Sequence, residues 1–435
     1  MILEKKNVLS LERIFLPPFA FLVFFFLTPY FIYSYFGPAF VQTLYEGKTF
    51  GFLNQIISAQ KTYPLSYYLM IADQRFNSWI GLMGVTSAVA FLAATIIYFL
   101  IKANRLNIAL LLSSTLLTLF FSEMMVRVFF YPPRRVDMLS RLEPKIHTED
   151  PLVGWKRVAG VYTVPPYSKE GGHIKITVWP SGMRATGEDS NPIPERRILA
   201  CGNSFVFGWA LSDQETFLYK LQLKFKDIEF LNMGTGGYST YQCFLSLQRY
   251  LQDTHQPPSA IFYFLTEFDP LRNVGDRSWL RGLMDFPQRN HVRAPYCLIN
   301  REGELTPLPP EAYPIWPGDQ YFSLVNLLKD TYVKFKTANR RPQAVDVTKK
   351  ILFEMKKLCA RYQTVLYVVV LQMEPESKDV YKKFLEEIKI ASFDCDRPEF
   401  SLAEMKVLGE GHPNGRMNSI WADCIEKEIQ RNPAL

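Results

Sequence analysis

Polar and apolar positions change their pattern about a third of the way along the chain. Residues 14–45 carry no charged side chain, and 14–36 are dominated by Phe, Leu, Ile and Tyr, a run long enough to cross a bilayer. It is too long and Phe-rich for a cleaved signal peptide and has no Ala-x-Ala exit. Residues 76–101 are again free of charge, with Ala, Gly, Ser and Thr among Leu and Ile, which permits close helix packing. A third apolar run covers 106–122, followed by Glu123 and Arg127, four apart on one helical face and placed to pair at a membrane boundary. The pattern predicts a membrane region over 1–131, with transmembrane helices near 14–36, 79–101 and 106–122.

Beyond it the periods are those of a soluble α/β protein. Residues 132–195 read as a Pro- and Arg-rich tether with one accessory strand, where 173–179 alternates polar and apolar. Apolar runs at 198–200, 228–233, 260–265 and 365–371 predict buried parallel strands. Helical spacing at 213–225, 241–252, 345–361, 379–388 and 416–429 falls between or after them, the rhythm of a doubly wound sheet over 196–432. Between 270 and 332 the rhythm breaks into a proline-rich insertion with a hairpin at 296–300 turning on Arg301-Glu302-Gly303.

Charge and cysteine content narrow the function. The net charge of +7 is spread along the length with no basic block, which speaks against nucleic acid as a partner. Lys5, Lys6, Arg13, Lys102 and Arg105 orient the predicted spans so that everything after Tyr131 lies outside the cytoplasm, whereas Arg127, Arg134, Arg135 and Arg141 argue the other way. None of the six cysteines forms a Cys-x-x-Cys pair, so neither zinc nor dithiol redox chemistry is suggested, and no cofactor is expected. Cys395 and Cys424 flank one loop near the C-terminus and could staple it in an oxidising compartment.

The candidate chemistry starts at Ser204, in Cys201-Gly202-Asn203-Ser204-Phe205-Val206-Phe207-Gly208, directly after the strand at 198–200 and before a helix. The carboxyl end of a strand in an open α/β sheet is where ligands bind. A serine needs a base. Of five histidines, His147 lies in the tether, His173 heads the alternating strand, His255 ends a helix and His291 falls in the insertion. His412 stands in a Gly- and Pro-bounded turn, Gly409-Glu410-Gly411-His412-Pro413-Asn414, with Glu410 two residues away to fix its tautomer. Asn232-Met233-Gly234-Thr235-Gly236-Gly237-Tyr238 follows the second strand. It fails the dinucleotide fingerprint because Ser239 stands at the third glycine position, and it lacks the lysine of a phosphate loop.

Together these blocks resemble the SGNH hydrolases, also called GDSL esterases and lipases, over roughly 196–429. The resemblance implies a flavodoxin-like three-layer α/β/α fold with a parallel sheet, no metal, and hydrolysis or transfer of ester-linked acyl groups; the predicted anchor suggests substrates near the lipid bilayer, such as O-acylated envelope glycans or lipid esters. It assigns Ser204 as nucleophile, His412 as base and Glu410 as the acid where Asp is usual, with N–H groups of Ser204 and Gly237 as an oxyanion hole. Asn203 replaces the usual Asp of the first block. In the third block, Thr266-Glu267-Phe268-Asp269, Phe268 takes the place of the Asn that completes the oxyanion hole. Either Asn232, Arg272 or Asn273 substitutes, with Asn273 the choice, or activity is weak. The alternative is a catalytically inactive relative whose cleft binds a glycan or a partner.

Overall fold

The computed structural model describes residues 106–129, 144–168, 171–187, 194, 196–284, 292–319 and 321–432. The predicted spans at 14–36 and 79–101, and most of the tether, lie outside them. The chain divides into two units, 1–138 with 315–331, and 139–314 with 332–435. The third predicted span falls in α1 (Leu106–Phe129), yet no helix among the described residues is long and apolar enough to cross a membrane.

The second unit begins with two strand pairs that the sequence pattern had not separated from the tether. β1 (His147–Asp150) pairs antiparallel with β2 (Gly154–Arg157), and β3 (Gly160–Val164) with β4 (Ile174–Val178). β4 is the predicted alternating strand, and its buried Ile174, Ile176 and Val178 face away from exposed Lys175. The α/β part then runs β5 (Arg196–Cys201), α2 (Ser204–Phe207), α3 (Phe217–Lys224), β6 (Ile228–Asn232), α4 (Thr240–Asp253) and β7 (Ala260–Thr266). The insertion supplies α5 (Asp269–Asn273), α6 (Arg277–Met284), the predicted hairpin β8 (Ala294–Ile299) and β9 (Leu305–Glu311), and α7 (Ser323–Lys336), which starts in the first unit. α8 (Ala344–Arg361), β10 (Val365–Gln372), α9 (Pro375–Glu387), β11 (Ala391–Asp394) and α10 (Gly415–Arg431) complete the chain.

The five-stranded sheet has the order β11-β10-β7-β5-β6, all parallel, which is the flavodoxin-like 2-1-3-4-5 order in sequence terms. Alternate residues face opposite layers. Leu199, Cys201, Ile261, Tyr263 and Leu265 join the core under α4 and α8, while Ile198, Ala200, Phe262 and Phe264 join that under α3 and α10. Every residue of β7 is buried, which is why it reads as an unbroken apolar run. The switch point lies between β5 and β7, so their carboxyl ends open a crevice between them.

In the first unit, the predicted pair forms, with Arg127 Nε 3.5 Å from Glu123 Oε1. Glu123 also accepts the N–H groups of Ser323 at 2.7 Å and Leu324 at 2.8 Å, placing a carboxylate on the otherwise unpaired amides at the start of α7. A second pair, Lys329 with Asp319 at 2.6 Å, is buried on both sides.

Candidate active site

The turn after β5 is built so that Ser204 begins a one-turn helix. Asn203 caps α2 by accepting the N–H of Phe205 at 3.0 Å, and Gly208 ends it in the left-handed region at φ 73°. The Asn203 amide donates to Thr266 Oγ1 at 2.8 Å and to Asp269 Oδ1 at 3.3 Å, tying the end of β5 to the end of β7 across the switch point. Asp269 also accepts the Thr266 amide at 2.7 Å. Burial pushes its carboxyl up from the ordinary value, opposed by nearby Arg272.

His412 comes from the other end of the chain. The 405–414 loop closes on itself, with the Val407 N–H on the His412 carbonyl at 2.7 Å and the Gly411 N–H on the Val407 carbonyl at 2.9 Å. Gly409 and Gly411 both take positive φ, 88° and 91°, where a side chain would be strained. Asn414 then caps α10. The His412 Nε2 stands 2.9 Å from Ser204 Oγ, and both Glu410 carboxylate oxygens lie 2.7 Å from Nδ1. Glu410 also accepts the His412 backbone N–H at 2.8 Å, so the extra methylene of Glu over Asp is taken up by a bond to the neighbouring backbone. The Phe205 ring meets the imidazole edge-on at 5.8 Å between centroids. Cys395 and Cys424 are joined by a disulfide that brackets this loop.

The turn after β6 is fixed by its carbonyls. Arg157 donates to Gly234 O, Trp155 Nε1 to Gly236 O at 3.0 Å, Trp279 Nε1 to Gly237 O at 3.1 Å, and Arg272 to Tyr238 O at 2.9 Å. With the carbonyls of these four residues held by side-chain donors, the peptide planes are set. Among the described residues, the N–H groups of Ser204 and Gly237 donate to no acceptor. Gly234 packs directly on α2, and a Cβ there would collide with the Phe207 amide nitrogen and lie 2.6 Å from the Val206 carbonyl carbon.

The sequence expectation for the third oxyanion donor needs correction. Asn273 is fully buried and spent elsewhere: it accepts the Tyr241 N–H at 2.9 Å and donates to Thr240 at 3.0 Å and Thr348 at 2.8 Å. Asn232 likewise donates to Val206 O and accepts the Gly234 N–H, each at 2.9 Å. Arg272 has its guanidinium 5.4 Å from the Phe268 ring centroid, and Phe268 itself is 46% exposed.

Sequence reasoning missed the accessory segment's part in the site. Arg184, wholly buried, donates to the carbonyls of Phe207 at 2.8 Å, Gly208 at 2.6 Å and Leu211 at 2.5 Å, and pairs with Asp213 at 3.3 Å. It therefore holds the chain leaving α2. Burial lowers its pKa to about 10, still far above neutrality. Burial raises the Cys201 and Cys243 thiols well above their usual range, which leaves neither as a nucleophile at neutral pH.

No family profile and no curated relative matches the chain. Several solved structures are similar to part of it. One is the psychrotrophic esterase EstA from Pseudoalteromonas sp., 12% identical, covering 54% of this chain and 97% of that one, with a TM-score of 0.32. A lipolytic protein of the G-D-S-L family from Veillonella parvula is 15% identical and covers 54% and 99%, with a TM-score of 0.33. A GDSL-like lipase from Bacteroides thetaiotaomicron is 12% identical and covers 56% and 92%, with a TM-score of 0.31. Scores this low carry no argument about activity, and the functional reading rests on the site's own geometry.

Proposed function

We propose that this chain is a membrane-anchored serine hydrolase of the SGNH type, an esterase or O-acyltransferase acting on ester-linked acyl groups. The observation that carries the reading is the 2.9 Å contact between Ser204 Oγ and His412 Nε2, with Glu410 on the opposite ring nitrogen. Ser204 attacks the ester carbonyl while His412 takes its proton, and Glu410 fixes the tautomer and stabilises the imidazolium. The unspent N–H groups of Ser204 and Gly237 receive the oxyanion. His412 then protonates the leaving alcohol, and the acyl-enzyme passes its acyl group to water or to another hydroxyl.

The charge-free runs at 14–36 and 79–101 support a membrane anchor, and exposed Leu117, Leu119, Phe121 and Met125 on α1 accord with one. The Cys395–Cys424 disulfide supports an extracytoplasmic location for the second unit. Substrates are then acyl esters close to the bilayer, such as O-acylated envelope glycans or lipid esters.

Phe268 at the position of the family's Asn favours a second reading, a binding module without turnover. The two separate on p-nitrophenyl acetate hydrolysis and fluorophosphonate labelling of the full chain beside Ser204→Ala. Activity and labelling lost in the variant support the hydrolase, and an unlabelled wild type rejects it.

A further inference from the structure

A cavity of about 620 Å³ opens beside Gly237 and Phe268, within the roughly 300–1,000 Å³ usual for small-molecule sites. Its walls come from the insertion and the helices behind it: Leu271, Trp279 and Leu283 on one side, Val345 and Tyr381 on the other. Gly237 carries one of the two unspent N–H groups of the catalytic centre. Phe268 leans its ring against Phe205 at 6.1 Å, and Phe205 in turn touches the His412 imidazole. The cavity thus meets the centre at the oxyanion glycine and at the residue standing in place of the family's Asn.

Apart from Tyr381, whose hydroxyl is buried below the cavity surface with no partner among the described residues, most of its polar residues are engaged. Glu267 accepts from Ser377 and from the Glu374 N–H, each at 3.1 Å. Ser278 donates to Asp276 at 2.5 Å, Arg341 pairs with Asp276 at 3.4 Å, and Arg272 donates to Tyr238 O. A sugar placed here would find few free partners for its hydroxyls, and each one left unmet is unfavourable. An alkyl chain needs none.

Resting on the hydrolase reading, we infer that this cavity seats the acyl chain of the substrate, and that the acyl group is a medium-length alkyl chain rather than acetyl. Phe268 then exchanges a polar oxyanion donor for an apolar throat between the reacting carbonyl and the chain's seat. Each methylene buried in the cavity is worth about fourfold in kcat/KM.

The test compares p-nitrophenyl acetate, hexanoate and octanoate on the full chain, with octyl acetate as the reversed ester. Gly282 on α6 lines the cavity, and a Cβ added there meets nothing within 4 Å, so Gly282→Phe projects a ring into open space. Val345→Trp fills the opposite wall and guards against one variant misfolding. The expected result is an octanoate-to-acetate kcat/KM ratio of at least ten, falling tenfold or more in either variant that keeps its Tm. Acetate turnover with a flat chain-length profile, a ratio untouched in both variants, or preference for octyl acetate would overturn the cavity assignment while leaving the hydrolase reading standing. Should no ester be turned over, calorimetric titration with octanoate decides: binding lost in Gly282→Phe supports the seat, and no binding to wild type overturns it.

Discussion

Asn203 holds Asp269 across the switch point, its amide nitrogen 3.3 Å from a carboxylate oxygen that burial already disfavours as an anion. An Asp at 203, the residue usual in the resembled family, would set two carboxyl groups against each other, which cannot both ionise cheaply. In Asn203→Asp the pair retains a proton that the unfolded chain gives up near pH 4. The folded state then binds more protons than the unfolded one, so stability falls as pH rises. Thermal melts at pH 5 and pH 8 check this: the variant's deficit in Tm should be larger at pH 8.

Glu410→Gln leaves a hydrogen-bonding side chain but removes the charge facing Nδ1, where both oxygens now lie at 2.7 Å. If Glu410 orients and stabilises the imidazolium, kcat should drop by about 10²–10⁴ with KM little changed. Glu410→Asp should fall between Gln and wild type. Steady-state kinetics on a p-nitrophenyl ester would show a flat series if the carboxylate were only structural.

Arg184→Met removes the donor shared by three buried carbonyls and leaves Asp213 without its cation. Breaking such a pair costs about 3–5 kcal/mol. Arg184→Lys restores charge but not the fork, and it should recover part of that loss. Urea melts give the size, and fluorophosphonate labelling rates report whether the Ser204 turn has loosened.

Asp150 joins β1 to α4 through a two-point contact with Arg249, both bonds at 2.8 Å, which brings its carboxyl down to about 2. That stability is present above the unfolded value of about 3.9 and is lost as pH falls through the folded value. With solvent around Arg249 allowed for, Asp150→Asn should cost about 1–2 kcal/mol at pH 7. The gap should close in melts below pH 3.

The disulfide joins residues 29 apart in sequence, and the loop it closes contains His412. Cys395→Ser with Cys424→Ser should cost about 3–4 kcal/mol by loop entropy. Thiol titration of the denatured, unreduced chain should find four thiols, from Cys201, Cys243, Cys297 and Cys359.

Ser204, Glu410 and His412 could be named from the sequence because each stands on a turn that Gly or Pro isolates from its surroundings. β5, β6, β7 and β10 were legible for the opposite reason, as buried apolar runs. β11 was not, since Phe393 alone of its four residues is buried and an edge strand needs no more. The segment from 146 to 172 read as tether because His147–Asp150 is all polar. Yet a half-buried strand at 174–178 needs a partner, and Gly160–Val164 was the nearest alternating stretch. Arg184, a single cation after a turn, carries no pattern at all. Asn273, the expected third oxyanion donor, is instead bonded inward to Thr240 and Thr348 from α5, a direction that spacing alone does not give.

Gly234 leaves no room for even a methyl group between two loops that belong to different strands. Main chain rests on main chain there, so the approach of the Gly234 turn to α2 is held by atomic radii, while Trp279 holds the Gly237 peptide through its carbonyl. If the chain is a hydrolase, selection for new esters has little to adjust at Gly234. On the hydrolase reading, variation in the acyl group accepted is left to cavity residues such as Leu283 and Val345, whereas Trp279, on the same inserted helix as Leu283, is tied to the Gly237 carbonyl and is not free to change.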